Sequence, residues 1–579
     1  MSSAAARGIM SRMGGGCCPH HAHPSTSPFR LAKLHGNQGN TDYAFEMVCS
    51  TLRFGKGVTL EIGHDIRQLG AKKTLLLTDK NVQKTIAFQN TELALQKVNA
   101  DYEVYDNVLI EPTDKSMQHA ISYAKSKNFD SFIAVGGGSV IDTTKAAALY
   151  ASNPEADFLD FVGPPFGKSL QPKNPMLPLI AVPTTAGTGS ETTGAAIMDL
   201  PEHKCKTGIR LRCIKPYLAI VDPLNVMSMP RNVAIYSGFD VLCHALESFT
   251  ALPYHQRSPR PANPQIRPVY QGSNPISDVW SKEALRIIGK YFRRSVFDPT
   301  DEEARTEMLK ASSFAGIGFG NAGVHLCHGL SYPISSQAKK CVAHDYPQDK
   351  KLIPHGLSVM TTAVADFEFT TEACPDRHLI AAQQLGANIP ENSSNEYISK
   401  TLCDQLRSFM KDFGVPNGLK GMGFEFSDIE YEATCLCGKC NNLDDMEYCC
   451  ASIFPSNVKF QANIGKLVSE KLEEKFWKGE HNRCIVDCDN FEKYLDEETL
   501  KVFKTGYKFG LGIDDNSWKP TNYRFYSYSM FVADLNLKLK KKRLPLPACI
   551  IKRVREKWPS SSYTGFLSGF TFNYENDCD

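Results

Sequence analysis

Two apolar runs, each closing on a loop of small residues, constrain this chain more than any other feature. Ser131 to Val135 (S-F-I-A-V) leads into Gly136-Gly137-Gly138-Ser139. Pro178 to Val182 (P-L-I-A-V) leads into Pro183-Thr184-Thr185-Ala186-Gly187-Thr188-Gly189-Ser190-Glu191. Short runs without polar alternation read as strands buried on both faces, as in a parallel sheet covered by helices. Lys73 to Thr78 (K-T-L-L-L-T) reads the same way, and each run precedes a helix-compatible stretch. Residues 42–229 are therefore expected to form an α/β dinucleotide-binding domain with a doubly wound sheet.

The loops carry the chemistry of that domain. Glycines at a strand end let backbone N–H groups approach a pyrophosphate, and the N-terminus of the following helix adds a favourable dipole. The helix opened by Gly136, Gly137, Gly138 and Ser139 also holds Asp142 and Lys145. The hydroxyls of Thr184, Thr185, Thr188 and Ser190 suit a second loop wrapped around a nucleotide or a metal. Asp79 ends the earlier strand, where a carboxylate accepts from a ribose 2′-hydroxyl and repels a 2′-phosphate. That favours NAD over NADP, while a helix cap is the competing role for Asp79.

From residue 230 to about 427 the signal changes to helices, such as Gly238 to Thr250 and Asp278 to Phe292. A Pro/Arg-rich loop from Leu252 to Pro275 separates these two. Asp240 and His244 stand one helical turn apart within apolar G-F-D-V-L-C-H-A-L-E, where buried polar groups need partners. His328 (L-C-H-G-L) and His355 (I-P-H-G-L) complete an Asp-plus-three-His set suited to a divalent Fe²⁺ or Zn²⁺. A substrate hydroxyl on that metal would be acidified, so that its carbon can release hydride to a nicotinamide. His325 reads as a core or supporting histidine.

Composition narrows the class. A formal net charge of +2 argues against a dedicated nucleic-acid binder. No run of about 18 apolar residues is present to span a membrane. Residues 1–41 hold Arg7, Arg12, Arg30 and Lys33 and no acid, as a mitochondrial transit peptide would, so a matrix location is expected. Nine of the 19 cysteines fall between Cys435 and Cys578. Clustered thiols in a reducing compartment point to metal. Cys435, Cys437, Cys440, Cys449, Cys450, Cys484 and Cys549 are the candidate Zn²⁺ ligands of a small Cys-rich module over 428–579.

In combination, G-G-G-S-x-x-D-x-x-K, T-T-A-G-T-G-S-E, D-V-L-C-H-A-L-E-S and the two H-G sites resemble the iron-containing (group III) alcohol dehydrogenase family, over about residues 41–427. T-D-Y-A-F-E-M from Thr41, L-P-Y-H-Q-R-S-P from Leu252 and Y-Q-G-S-N-P-I-S-D from Tyr270 resemble its hydroxyacid–oxoacid transhydrogenase branch. The resemblance implies an α/β nucleotide domain, an all-α metal-binding domain and a cleft between them. It implies oxidation of 4-hydroxybutyrate to succinate semialdehyde with reduction of 2-oxoglutarate to 2-hydroxyglutarate on bound NAD. It makes Asp240, His244, His328 and His355 the metal ligands. Many relatives carry a further His four residues after the third ligand; here Tyr332 stands there and becomes the candidate for proton transfer. Arg257, Arg260 and Arg267 in the Pro-rich loop are the expected carboxylate clamps.

The tail, from C-L-C-G-K-C to L-P-A-C-I-I-K-R-V-R-E-K-W-P, resembles the cytoplasmic ballast domain of the seventh-subtype ATP-gated purinergic receptor channels. That resemblance implies zinc and a protein or nucleotide ligand, although Tyr523-Arg524-Phe525 replaces an expected His-Cys pair. A genuine fusion and a joining of two coding regions both fit. A homo-oligomer acting on small hydroxy and oxo acids is expected. An NAD-dependent dehydrogenase of a neutral alcohol and a zinc-dependent interaction protein with a vestigial enzyme part are the alternatives.

Overall fold

A computed structural model describes residues 44–424, apart from 165, 204, 257–260, 262, 337–342 and 347–351. The expected leader, Arg257, Arg260 and the cysteine-rich module from 428 onward lie outside the described residues. The strands are β1 (Thr51–Phe54), β2 (Thr74–Leu77), β3 (Tyr102–Tyr105), β4 (Ser131–Gly136), β5 (Leu179–Pro183), β6 (Ala195–Leu200), β7 (Cys205–Arg210) and β8 (Leu218–Val221). Six of them form a parallel sheet in the order β1-β8-β5-β4-β2-β3, and β6 and β7 make a separate antiparallel pair.

Helices α1 (Ile62–Gln68), α2 (Ile86–Lys97), α3 (Asp114–Lys125) and α4 (Gly138–Ser152) cover both faces of the sheet. The continuous apolar runs explain how. Leu75, Leu77, Phe132, Ala134, Leu179 and Ala181 pack in one core with Ala120 and Ala124 of α3 and Ile141 of α4. Their neighbours Leu76, Ile133, Val135, Ile180 and Val182 pack in another with Ile62 and Ile66 of α1 and Phe88 of α2. Each such Leu or Ile contributes roughly 1.5–3 kcal/mol when withdrawn from water. The chain leaves β2 toward β3 and leaves β4 toward β5, so the carboxyl ends of paired β2 and β4 flank a topological switch point. Dinucleotides bind at such a crevice. A short helix, α5 (Phe158–Phe161), follows α4.

The rest of the described chain is helical: α6 (Arg231–Thr250), α7 (Pro275–Phe297), α8 (Glu302–Ala322), α9 (Leu326–Ser336), α10 (His355–Thr370), α11 (Pro375–Gln384) and α12 (Asn395–Phe413). Local signals set several ends. Asn274 accepts from Ile276 and Ser277 N–H and Pro275 takes the first position of α7, where a missing N–H costs nothing. Asp301 caps α8, Ser394 caps α12, and Gly414 ends α12 at φ 73°. Helix α6 is buried from Gly238 to Thr250, at the centre of the largest core. No helix among the described residues is long and apolar enough to cross a membrane.

Candidate metal and nucleotide site

Three elements of the helical part bring one carboxylate and two imidazoles together. Asp240 lies on α6, His328 on α9, and His355 opens α10. His328 Nε2 is 3.4 Å and His355 Nε2 3.6 Å from Asp240 Oδ1, and the three ligand atoms all lie within 4.8 Å of one another. His244 stands beside this group rather than within it. Its Nδ1 is 3.8 Å from Asp240 Oδ1, and its ring stacks between Phe319 and His328. Asp240 Oδ1, His244 Nδ1 and His328 Nε2 are buried with no hydrogen-bond partner. Buried polar atoms left unsatisfied are costly, and several converging on one point fit a cation in their midst. The fit is chemical as well: a carboxylate and imidazoles suit iron or zinc.

The electrostatics of Asp240, His244 and His355 favour binding, whereas at His328 burial is outweighed by Glu247 and Asp240, which push its imidazole up so that a cation there displaces a proton. Burial alone would raise the Asp240 carboxyl, but His244, His355 and His328 around it take it well below the usual carboxylate range. Burial holds His244 down to about 3 and also lowers His355, so both present neutral nitrogens.

Glu247, one turn beyond His244, is the site residue that sequence reasoning passed over. It is fully buried. Its Oε2 accepts a short hydrogen bond from His328 Nδ1, and its Oε1 accepts from the backbone N–H of His325 at 2.8 Å and of His328 at 3.3 Å. Burial pushes this carboxyl up, yet His328 outweighs that and takes it to about 2. The carboxylate thus fixes which His328 nitrogen faces Asp240. A charge inside an apolar helix was the available signal. His325 bonds Thr250 Oγ1 through Nε2 at 2.9 Å, a supporting place. Close approach of α6 and α10 at the site requires glycine, since a Cβ on Gly356 would lie 1.8 Å from the Tyr236 carbonyl oxygen.

On the α/β side the two small-residue loops touch. A Cβ on Gly138 would stand 2.6 Å from Thr188 Cγ2, and one on Gly137 3.1 Å from Thr185 Oγ1. Gly137 caps α4 without a side chain, so the first N–H groups of that helix stay open to a ligand. Thr184 N–H donates to the Gly136 carbonyl at 3.1 Å, and Thr188 Oγ1 accepts from Ser190 N–H at 3.2 Å. Ser139 Oγ accepts from Glu111 N–H. Behind the loops Lys145, wholly buried, donates to Ser190 Oγ at 2.6 Å, Ala195 O at 2.7 Å, and Thr193 Oγ1 and Asp142 Oδ1 at 3.1 Å each. Asp142 also accepts from Ser190 Oγ and from Ile197 N–H. Asp142 and Ser190 thus build the loops' frame. Asp79 Oδ1 accepts from Asn81 and Val82 N–H at 2.8 and 3.0 Å, a capping role at the carboxyl end of β2.

The antiparallel pair β6–β7, which no sequence pattern announced, brings basic residues to the metal side. Lys206 on β7 pairs with Glu111 at 2.5 Å, and the two lie near His355. Glu111 holds φ 53°, an uncommon backbone state for a side chain with a Cβ. Arg210, four residues along β7, faces the hydroxyl of Tyr332 on α9, with Tyr270 also near. Helix α9 packs on β7. Arg267 is half-buried just after the turn Pro264–Ile266.

Family models match most of the described chain. Residues 49–223 match the iron-containing alcohol dehydrogenase model, and residues 269–443 match its family's C-terminal model, a span that includes Cys435, Cys437 and Cys440. The chain is 86% identical over 431 residues to the mitochondrial hydroxyacid-oxoacid transhydrogenase of Caenorhabditis briggsae, covering 74% of this chain and 92% of that one. It is 52% identical over 412 residues to the protein of that name from Homo sapiens, covering 71% and 87%. Among solved structures, a 1,3-propanediol oxidoreductase is 25% identical with a TM-score of 0.59, covering 71% of this chain and 99% of that one.

Proposed function

The chain belongs to the iron-containing alcohol dehydrogenase family, and from that membership and the site we infer that it is a hydroxyacid–oxoacid transhydrogenase working in mitochondria. The observation that carries this reading is the convergence of Asp240, His328 and His355 in a chain that also pairs the glycine loops after β4 and β5. A divalent iron or zinc at that convergence would polarise a substrate oxygen, and NAD along the loops would carry the hydride.

The residues of the chain do the rest. Asp240, His328 and His355 hold the cation, with His244 as a fourth donor beside them. Glu247 keeps the His328 ring in place. Gly136, Gly137, Gly138 and Ser139 receive the pyrophosphate, Thr184, Thr185 and Thr188 close over it, and Asp79 takes the ribose. Tyr332, one turn past His328, handles the proton at the substrate oxygen. The loop arginines Arg257, Arg260 and Arg267 are the candidates for the extra carboxylate of the oxo acid.

The substrates proposed are 4-hydroxybutyrate and 2-oxoglutarate. Oxidation at C4 of the first releases a hydride and the hydroxyl proton. Reduction at C2 of the second consumes both, so the pair is redox-neutral. The test is to incubate the metal-loaded chain with both acids and no added NAD. Formation of 2-hydroxyglutarate, abolished in His328→Ala, is expected. Turnover only of neutral alcohols, with NADH accumulating from added NAD, would contradict the reading. For the tail we propose zinc on Cys435, Cys437, Cys440, Cys449, Cys450, Cys484 and Cys549, checked by zinc content above one metal per chain.

A further inference from the structure

We propose that Arg210 is the anchor for the carboxylate that both substrates share, setting the enzyme's preference for acids. This rests on the transhydrogenase reading. In 4-hydroxybutyrate the reacting C4 lies three carbon–carbon bonds from the C1 carboxylate. In 2-oxoglutarate the reacting C2 lies three carbon–carbon bonds from the C5 carboxylate. One cation at one distance from the metal therefore serves both, with the C1 carboxylate of the oxo acid occupying the place of a hydrogen in the hydroxy acid.

Arg210 is the cation that the fold brings beside the helix of His328. It closes β7, and its Nη1 lies 3.6 Å from where a Cβ on Gly163 would stand. Its guanidinium faces the phenols of Tyr332 and Tyr270. Among the described residues it makes no ion pair, whereas its strand neighbour Lys206 is matched by Glu111. A half-buried guanidinium without a carboxylate is an expensive arrangement unless an anion arrives to complete it. Tyr332 ties the position to the chemistry. It stands four residues after His328 on α9, on the same face and about 6 Å along the axis. A carboxylate held by Arg210 beside Tyr332 leaves a three-bond chain to reach back toward the His328 ligand position.

The test compares 4-hydroxybutyrate with its neutral amide, 4-hydroxybutyramide, on the metal-loaded full chain. The wild type is expected to prefer the acid, and Arg210→Gln to lose that preference to near parity through a rise in KM of about 100-fold for the acid. The KM for 2-oxoglutarate should rise by a similar factor, since one cation serves both. An unchanged acid-to-amide preference in Arg210→Gln, or loss for only one of the two acids, would overturn the proposal. Should Arg210→Gln fail to fold, Arg210→Lys is expected to raise both KM values together while keeping most of kcat; unchanged KM values would overturn it. A wild type that turns over neither acid would instead overturn the transhydrogenase reading, and the anchor with it.

Discussion

The Nζ of Lys145 lies 2.6 Å from the hydroxyl of Ser190, and that contact ties the helix of the first glycine loop to the second loop. Lys145 is wholly buried, and burial pulls its ammonium down even with Asp142 beside it. A cation is kept there because four oxygens surround it and hold the two loops at the spacing where Gly138 meets Thr188. The two loops proposed to cradle the nucleotide are thus held from behind, by groups that need not touch the cofactor.

Lys145→Met should therefore weaken nicotinamide binding and the fold together. Removing one partner of a buried ion pair costs about 3–5 kcal/mol, and the loosened loops should bind NAD at least about tenfold more weakly. Thermal unfolding and a fluorescence titration with NAD measure the two effects. Lost stability with unchanged affinity would refute the coupling.

Glu247→Gln should release the metal while leaving the fold standing. The carboxylate accepts from His328 Nδ1 and from two backbone N–H groups, and such outer partners are worth about 10–100-fold in metal affinity. Metal content after dialysis against a chelator series gives the number. Retention equal to that of the wild type would show that Glu247 does not orient the ligand.

Gly356→Ala should disrupt the helix crossing next to His355. The added methyl meets the Tyr236 carbonyl oxygen, a backbone atom that cannot swing aside. Overpacking of this kind costs about 1–3 kcal/mol or more, and the shift should lower metal affinity too. Urea unfolding with and without metal separates the two, and wild-type values for both would contradict the packing argument.

The fold should lose stability in acid through His378. Burial holds its imidazole down to about 4, where it bonds Thr370 Oγ1 and the Cys374 carbonyl at 2.9 Å each. The unfolded chain takes up this proton near pH 6.5 and the folded chain only near 4, so stability is full above 6.5 and falls as pH drops through that window. The loss by pH 5 is about 2 kcal/mol. His378→Asn should flatten that part of the urea-unfolding pH profile; an unaltered slope would remove His378 from the account.

The parallel sheet was legible because β2, β4 and β5 are buried on both faces, which forbids polar alternation and leaves a plain apolar run. Asp240, His328 and His355 were legible because polar residues in apolar or glycine contexts demand a partner. The β6–β7 pair was not legible: its outward and inward residues mix Asp199, Lys206 and Arg210 with alanines, and no periodicity survives. Arg210, the proposed carboxylate anchor, therefore carries no sequence signal of its own, because its place beside α9 comes only from the packing of β7 on that helix. Glu247 shares its helix motif with Asp240 and His244, but only the packing of α9 on α6 reveals that its charge is spent on His328.

The central claim is that one site passes a hydride from a hydroxy acid to an oxo acid. The most direct measurement uses 4-hydroxybutyrate carrying deuterium at C4, unlabelled 2-oxoglutarate and no added NAD, with mass spectrometry of the product. The account predicts 2-hydroxyglutarate labelled at C2, with no label lost to solvent. Unlabelled 2-hydroxyglutarate, or no product from folded metal-loaded protein, would contradict it.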